Sequence, residues 1–244
     1  KAESLAVATS PYDELTIPTL RERTYESSLG QRSEYASYAT HTSYLTSYTS
    51  DGLKINGLLT IPTGEMPEGG WPAIVFVHGY IPPTLYETTS RYVDYVDSLA
   101  RSGFVVFKID LRGHGESEGT PGGAYYSADY VVDTLNARSA LAGSDVVNPQ
   151  KIGLWGHSMA GNVVLRATAV RPEIPATVIW AGAVYTYEDM LRYRITDNSY
   201  RPPVTTTPRA FSRQRLYESV GSPSATSPFW KSIAPATYVS EFQG

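Results

Sequence analysis

Four stretches of this chain are apolar almost without interruption: "AIVFVHG" (73–79), "FVVFKID" (104–110), "KIGLWGHS" (151–158) and "ATVIWAG" (176–182). A strand with one wet face alternates apolar and polar residues, whereas a strand covered on both faces does not. The four runs therefore predict a mostly parallel sheet between two layers of helices. Helical patterns lie between them. Tyr92, Val93, Val96 and Leu99 form one stripe within 87–100. Val131, Val132, Leu135 and Leu141 mark 126–142, and Val163, Val164 and Leu165 mark 159–170. Strand–helix–strand alternation of this kind is an α/β architecture with right-handed crossovers. A length of 244 residues suits a single domain, 1–244, with a sizeable core.

The flanks read differently. "HTSYLTSYTS" (41–50) and "LKINGLLTIP" (53–62) are alternating runs on either side of Asp51-Gly52. Both turn residues tolerate positive φ, so the pattern predicts an N-terminal antiparallel hairpin. Tyr44, Thr46 and Tyr48 share one of its faces. They serve either as packing or as an aromatic strip for a sugar or polymer. Residues 1–40 are a polar extension, expected to be loop-like apart from a short helix near "YDELTIPTLRER". Residues 183–230 break the strand–helix rhythm and are rich in Tyr, Arg, Pro and Thr. They are expected to form a lid or cap insertion over the carboxyl edge of the sheet. Tyr185, Tyr187, Met190, Arg192 and Tyr193 would supply its selectivity.

The chemistry centres on Gly156-His157-Ser158-Met159-Ala160, between an apolar strand and a helical pattern. A serine on a sharp strand-to-helix turn has strained backbone geometry, and its neighbours two positions away must be small. The helix that follows points its N-terminus at developing negative charge. Ser158 is therefore the candidate nucleophile, and the Met159 N–H the first oxyanion donor. The loop after an earlier strand should give the second, and "VFVHGYIPP" places Tyr80 there. His78, on that loop, is read as a brace rather than a base. His157 is read as packing beside the strand end.

Composition excludes several classes. The net charge is -4 and no basic block occurs, so neither nucleic acid nor an anionic membrane is an expected partner. No apolar run approaches the ~20 residues of a spanning helix. There is no cysteine, hence no disulfide or thiolate chemistry. The histidines His41, His78, His114 and His157 show no metal-ligand spacing, and neither metal nor cofactor is expected. Few lysines and many Tyr, Ser and Thr residues lean towards an extracytoplasmic or secreted protein. The opening "KAESLAVATSPYDEL" has no apolar signal core, as either a processed mature end or an arbitrary start would give.

"HGY", "DLRGHGESEG" (110–119) and "GHSMAG", in this order, resemble the α/β-hydrolase superfamily over about residues 42–240. More narrowly they resemble its acylaminoacyl-peptidase-like and dienelactone-hydrolase-like esterase branch. The Gly-Tyr loop paired with G-H-S-M is also similar to polyester hydrolases and cutinases. The resemblance implies that Asp110, Arg112 and His114 are braces. It also implies that Trp180 borders the substrate cleft, its other reading being sheet core.

In this fold the triad runs Ser, Asp or Glu, then His, yet no histidine follows Ser158. Glu173, Glu188, Asp189, Asp197, Glu218 and Glu241 do follow, but an acid without a histidine has nothing to orient. The resemblance implies that the acid, the base and the C-terminal strands are absent from this chain. A segment of roughly 60–80 residues would supply them, as a companion chain or C-terminal fragment. The strand 176–182 agrees, since it carries no charge or Pro to protect an exposed edge. The expected function is a serine hydrolase that cleaves small-molecule or polymer carboxylic esters through an acyl-enzyme. The alternatives are an acylaminoacyl-type peptidase and a non-catalytic binding protein.

Overall fold

The computed structural model describes residues 12–195 and 213–244. Its strands are β1 (Ser33–Ser37), β2 (His41–Ser50), β3 (Leu53–Pro62), β4 (Trp71–Val77), β5 (Val105–Ile109), β6 (Val147–His157) and β7 (Thr177–Trp180). Its helices are α1 (Ile17–Glu22), α2 (Val93–Arg101), α3 (Asp129–Ala142), α4 (Ala160–Val170), α5 (Tyr187–Arg192), α6 (Arg213–Val220) and α7 (Pro228–Ile233). The strands form one sheet in the order β1-β2-β3-β5-β4-β6-β7. The four apolar runs lie side by side and pair in parallel. The hairpin β2–β3 joins them antiparallel through β5. Its turn closes with Asp51 at φ 51° and Gly52 at φ 77°, the geometry an Asp-Gly pair favours.

The apolar runs are continuous because both faces of the sheet are covered. Val75 and Val77 look towards α3 and α4, in one core with Phe107, Ile109 and Leu154. Phe76 looks the other way, into a smaller core with Val96, Val106 and Trp155 beneath α2. Tyr48 settles the role of its face: it is buried edge-on against Phe107, and its hydroxyl donates to the Asp133 carbonyl at 2.9 Å. It packs.

Two expectations need correcting, and one alternative falls away. The N-terminal extension is not loop throughout, because "SEYAS" forms β1 against β2. An edge strand is held by main-chain bonds and needs no apolar side chains, so its sequence carries no alternation. The helix expected from residue 87 begins only at Val93, because Tyr92 takes a left-handed backbone at φ 61°. Trp180 is not sheet core. It is 53% exposed and Val178 47%, because the face of β7 opposite α4 is only partly covered among the described residues. β7 is also the outermost strand there. Gln243 donates to the Pro172 carbonyl at 3.0 Å, which brings the last residues alongside the start of β7.

Of the segment 183–230, residues 196–212, including "RPPVTTTPRAF", lie outside the described residues. α5 seats on the core through the Tyr187 hydroxyl, which donates to the Tyr125 carbonyl at 2.6 Å. Trp230 of α7 packs on the Tyr187 ring, with centroids 5.1 Å apart.

Two buried arginines tie distant segments together. Arg166 of α4 donates to the carbonyls of Ala124, Ser127 and Leu15 at 3.0, 2.7 and 2.9 Å. Arg112 grips the fully buried Asp133 of α3, with Nη2 to Oδ1 at 2.7 Å, and also reaches Asp129 at 3.1 Å. Ser50, at the hairpin turn, donates to the same Asp133 carboxylate at 2.7 Å. Asp133→Ala should therefore strand a buried guanidinium and lower stability by about 3–5 kcal/mol. Urea denaturation checks this, and a midpoint within error of the wild type would contradict it.

Candidate active site

β6 ends at His157 and α4 begins at Ala160, so the chain must reverse within two residues. Ser158 makes the reversal at φ 52°, a strained value for a residue with a side chain. Its main-chain groups are held from the next connection. The Ser158 N–H donates to the Trp180 carbonyl at 3.1 Å, and its carbonyl accepts from Ala183 at 2.8 Å and Gly161 at 2.9 Å. Space explains the small neighbours. A Cβ on Gly156 would lie 2.7 Å from the Ala160 carbonyl oxygen, and one on Gly161 would lie 2.7 Å from Gly182 Cα. Ala160 is wholly buried, so alanine fills the place of the motif's second glycine. Met159 is the N-cap of α4 and provides no side-chain cap. The N-terminal end of α4, the positive end of its helix dipole, begins two residues after Ser158.

The loop after β4 lies against this turn. A Cβ on Gly79 would meet His157 Nδ1 at 2.9 Å and the His157 carbonyl oxygen at 3.1 Å. Tyr80 follows, partly exposed at 37%. The fold thus brings the Gly79 end of this loop against His157, the residue before Ser158. The Trp180 carbonyl accepts the Ser158 N–H, and its ring lies edge-on to Tyr95, with centroids 6.4 Å apart.

The "DLRGHGESEG" loop braces its surroundings. The buried Asp110 carboxylate accepts from the hydroxyls of Tyr86 at 2.7 Å and Thr88 at 2.6 Å. Lys108, also buried, donates to the Thr88 carbonyl at 2.6 Å and the Tyr86 hydroxyl at 3.2 Å. Burial raises the Asp110 pKa, opposed by Lys108 and the two hydroxyls. Burial lowers Lys108 to about 8, opposed by Asp110. Arg112 holds α3 as described above, and His114 Nδ1 lies 3.3 Å from the Arg112 carbonyl.

None of the four histidines hydrogen-bonds the Ser158 hydroxyl among the described residues. His41 sits 3.3 Å from Asp97. His157 Nδ1 lies 2.8 Å from the Tyr92 hydroxyl. His78 is completely buried, with Nδ1 on the Gly79 carbonyl at 2.7 Å and Nε2 3.3 Å from the Asp110 carbonyl. Burial drives its pKa down to about 3, with the neighbouring His114 adding to the shift, so at neutral pH it is an uncharged brace. Tyr92 is the residue that sequence reading missed. It counted as part of a helical stripe, and no local pattern signals a bond to a histidine 65 positions away.

A pH dependence follows from His78. Its ordinary value is 6.5, so between pH 6.5 and 3 the unfolded chain binds a proton there that the folded protein does not. Stability contributed by the neutral ring is present above that window and is lost as pH falls through it. In urea titrations at pH 6.5 and 4.5, His78→Gln should lose less stability on acidification than the wild type. Equal losses would contradict this assignment.

Comparison with known proteins agrees with this geometry. Residues 72–213, more than half of the chain, match the hydrolase family described as serine aminopeptidase, S33. A thiohydrolase of Aspergillus aculeatus is 31% identical over 119 residues, which are 49% of this chain and 35% of that protein. A bis(hydroxyethyl) terephthalate hydrolase of Streptomyces coelicolor is 30% identical over 122 residues, 50% of this chain and 36% of that protein. The matched region thus spans little more than a third of these relatives. Among solved structures, the acetyl xylan esterases of Paenibacillus sp. R4 and Thermoanaerobacterium sp. superpose with TM-scores of 0.65 and 0.64 at 17% and 18% identity. They cover 93% and 96% of this chain, which in turn covers 74% and 75% of theirs, and at that identity the likeness speaks for the fold alone. With its sheet, its serine turn and the sequence match together, the chain belongs to the serine aminopeptidase S33 family of hydrolases, within the α/β-hydrolase superfamily.

Proposed function

We propose that the chain carries the nucleophile and oxyanion donors of a carboxylic-ester hydrolase. The observation that carries this reading is the left-handed Ser158 between a parallel strand and α4. Small residues pack against it and the β4 loop lies alongside. The Ser158 hydroxyl attacks the ester carbonyl while a base takes its proton. The Met159 and Tyr80 amides hold the oxyanion, and the alcohol leaves with that proton. Water then releases the acyl group from Ser158 by the same steps. Trp180 borders the cleft in this reading. The relative named as a bis(hydroxyethyl) terephthalate hydrolase favours a carboxylic ester as the substrate class.

The base and its acid come, in this reading, from a segment beyond these 244 residues. Three observations support it. No histidine follows Ser158. The fold covers about three quarters of the acetyl xylan esterases. Val178 and Trp180, on one face of the outermost strand β7, are about half exposed. A second reading, hydrolysis of an aminoacyl amide, is favoured by the description of the matched family.

In the full-length protein, Ser158→Ala should cut p-nitrophenyl acetate turnover by about 10⁵-fold or more without changing Tm. Unchanged turnover would overturn the nucleophile assignment. An alanine p-nitroanilide assayed beside the ester decides between the two substrates: faster amide than ester turnover would replace the esterase reading with the peptidase one. The 244 residues alone should not label with a fluorophosphonate at the rate of the full-length protein. Equal labelling would show that no further segment is needed.

A further inference from the structure

The residue before the candidate nucleophile and the residue before the candidate oxyanion donor share one partner. The Tyr92 hydroxyl accepts the Gly79 N–H at 3.0 Å and stands 2.8 Å from His157 Nδ1. The three groups form a consistent chain. Gly79 N–H donates to the Tyr92 oxygen, and the Tyr92 O–H donates to His157 Nδ1, with the histidine proton on Nε2.

Gly79 is held at its other end too. Its carbonyl belongs to the peptide that carries the Tyr80 N–H, and it accepts from His78 Nδ1 at 2.7 Å. A peptide unit is planar, with its C=O and N–H antiparallel. Fixing that carbonyl fixes the direction of the Tyr80 N–H.

The backbone of Tyr92 points the same way. Its φ of 61° and ψ of 17° are left-handed, an outlier for a bulky side chain. Such geometry persists only where the surroundings over-determine it, and it clusters at functional sites. Helix capping does not explain it, because Tyr92 is the N-cap of α2 and its side chain makes no cap bond. The ring is wedged instead among Phe76, Tyr95 and His157, with centroids at 5.4, 6.1 and 5.5 Å. Gly79 has no room for a Cβ, which would lie 2.9 Å from both the Tyr92 oxygen and His157 Nδ1.

We infer that Tyr92 is a positioning residue, whose hydroxyl clasps the oxyanion loop to the nucleophile turn and fixes the Tyr80 N–H relative to Ser158. This rests on the assignment of Ser158 and Tyr80 proposed above. Tyr92 touches no reacting atom. It sets the distance between the group that attacks and the group that stabilises the charge, a distance that matters only in the transition state.

The test is Tyr92→Phe in the full-length protein, which keeps the ring and removes both bonds. With p-nitrophenyl acetate, kcat should fall roughly 10–100-fold while KM stays within about twofold. Active-site titration with a fluorophosphonate should give an unchanged titratable fraction. His157→Asn, which returns an acceptor near the Nδ1 position, should keep more activity than His157→Phe. Adding Tyr92→Phe to His157→Phe should cost less than Tyr92→Phe costs alone. An unchanged kcat, a loss explained by fewer titratable sites, or simple additivity of the two substitutions would overturn the inference. Should Tyr92→Phe not fold, Gly79→Ala presses on the same clasp and must give the same kcat-selective loss, or the inference fails. Ser158→Ala is measured in parallel. If it stays active, the underlying site reading fails, whereas an inactive Ser158→Ala beside a fully active Tyr92→Phe sinks this inference alone.

Discussion

The positive φ of Ser158 is the constraint around which the molecule is arranged. A side chain in that conformation is unfavourable by itself, and it persists because three main-chain bonds grip it from residues 161, 180 and 183. Those bonds require β7 to lie against β6. They also require Gly161 and Gly182 to touch, and a helix to start at once. The parallel order of the strands, the short β6–α4 turn and the glycines in it answer one geometric demand. The left-handed residues Leu111, Ser158 and Ala181 all fall just after strands β5, β6 and β7, so the strain collects at the carboxyl edge of the sheet, where the candidate site lies.

Around that edge the fold uses polar clamps where an apolar core cannot reach. Loops cannot bury their backbone without partners. Asp110 fixes the chain at Tyr86 and Thr88, and Asp133 gathers Arg112 and Ser50. His78 and Tyr92 take both ends of Gly79. Asp110, Asp133 and His78 are themselves buried, so water competes poorly for the bonds they make.

The central strands, the hairpin and the serine turn were legible in the sequence because each rests on a local pattern. Both-sided burial writes an unbroken apolar run, a tight turn writes Asp-Gly, and a cramped strand-to-helix junction writes small residues around Ser158. What could not be read depends on partners far along the chain. β1 is an edge strand whose pairing leaves no trace in "SEYAS". Trp180 offered two readings because exposure of a terminal strand depends on what stands beside it, which no residue within 176–182 records. Tyr92 fitted the apolar stripe of α2, and only the folded chain reveals that its backbone breaks the helix there. The braces at Asp110, Arg112 and His114 came from family resemblance, since a charged loop alone looks like a solvated one.

Arg166 carries a consequence of another kind. It lies in the helix that follows the nucleophile turn, yet one of its three acceptors is the carbonyl of Leu15, 151 positions earlier. The helix behind the nucleophile turn is thus pinned to a segment far away in the chain, so a change at Leu15 that moved its carbonyl would leave a buried guanidinium short of one partner.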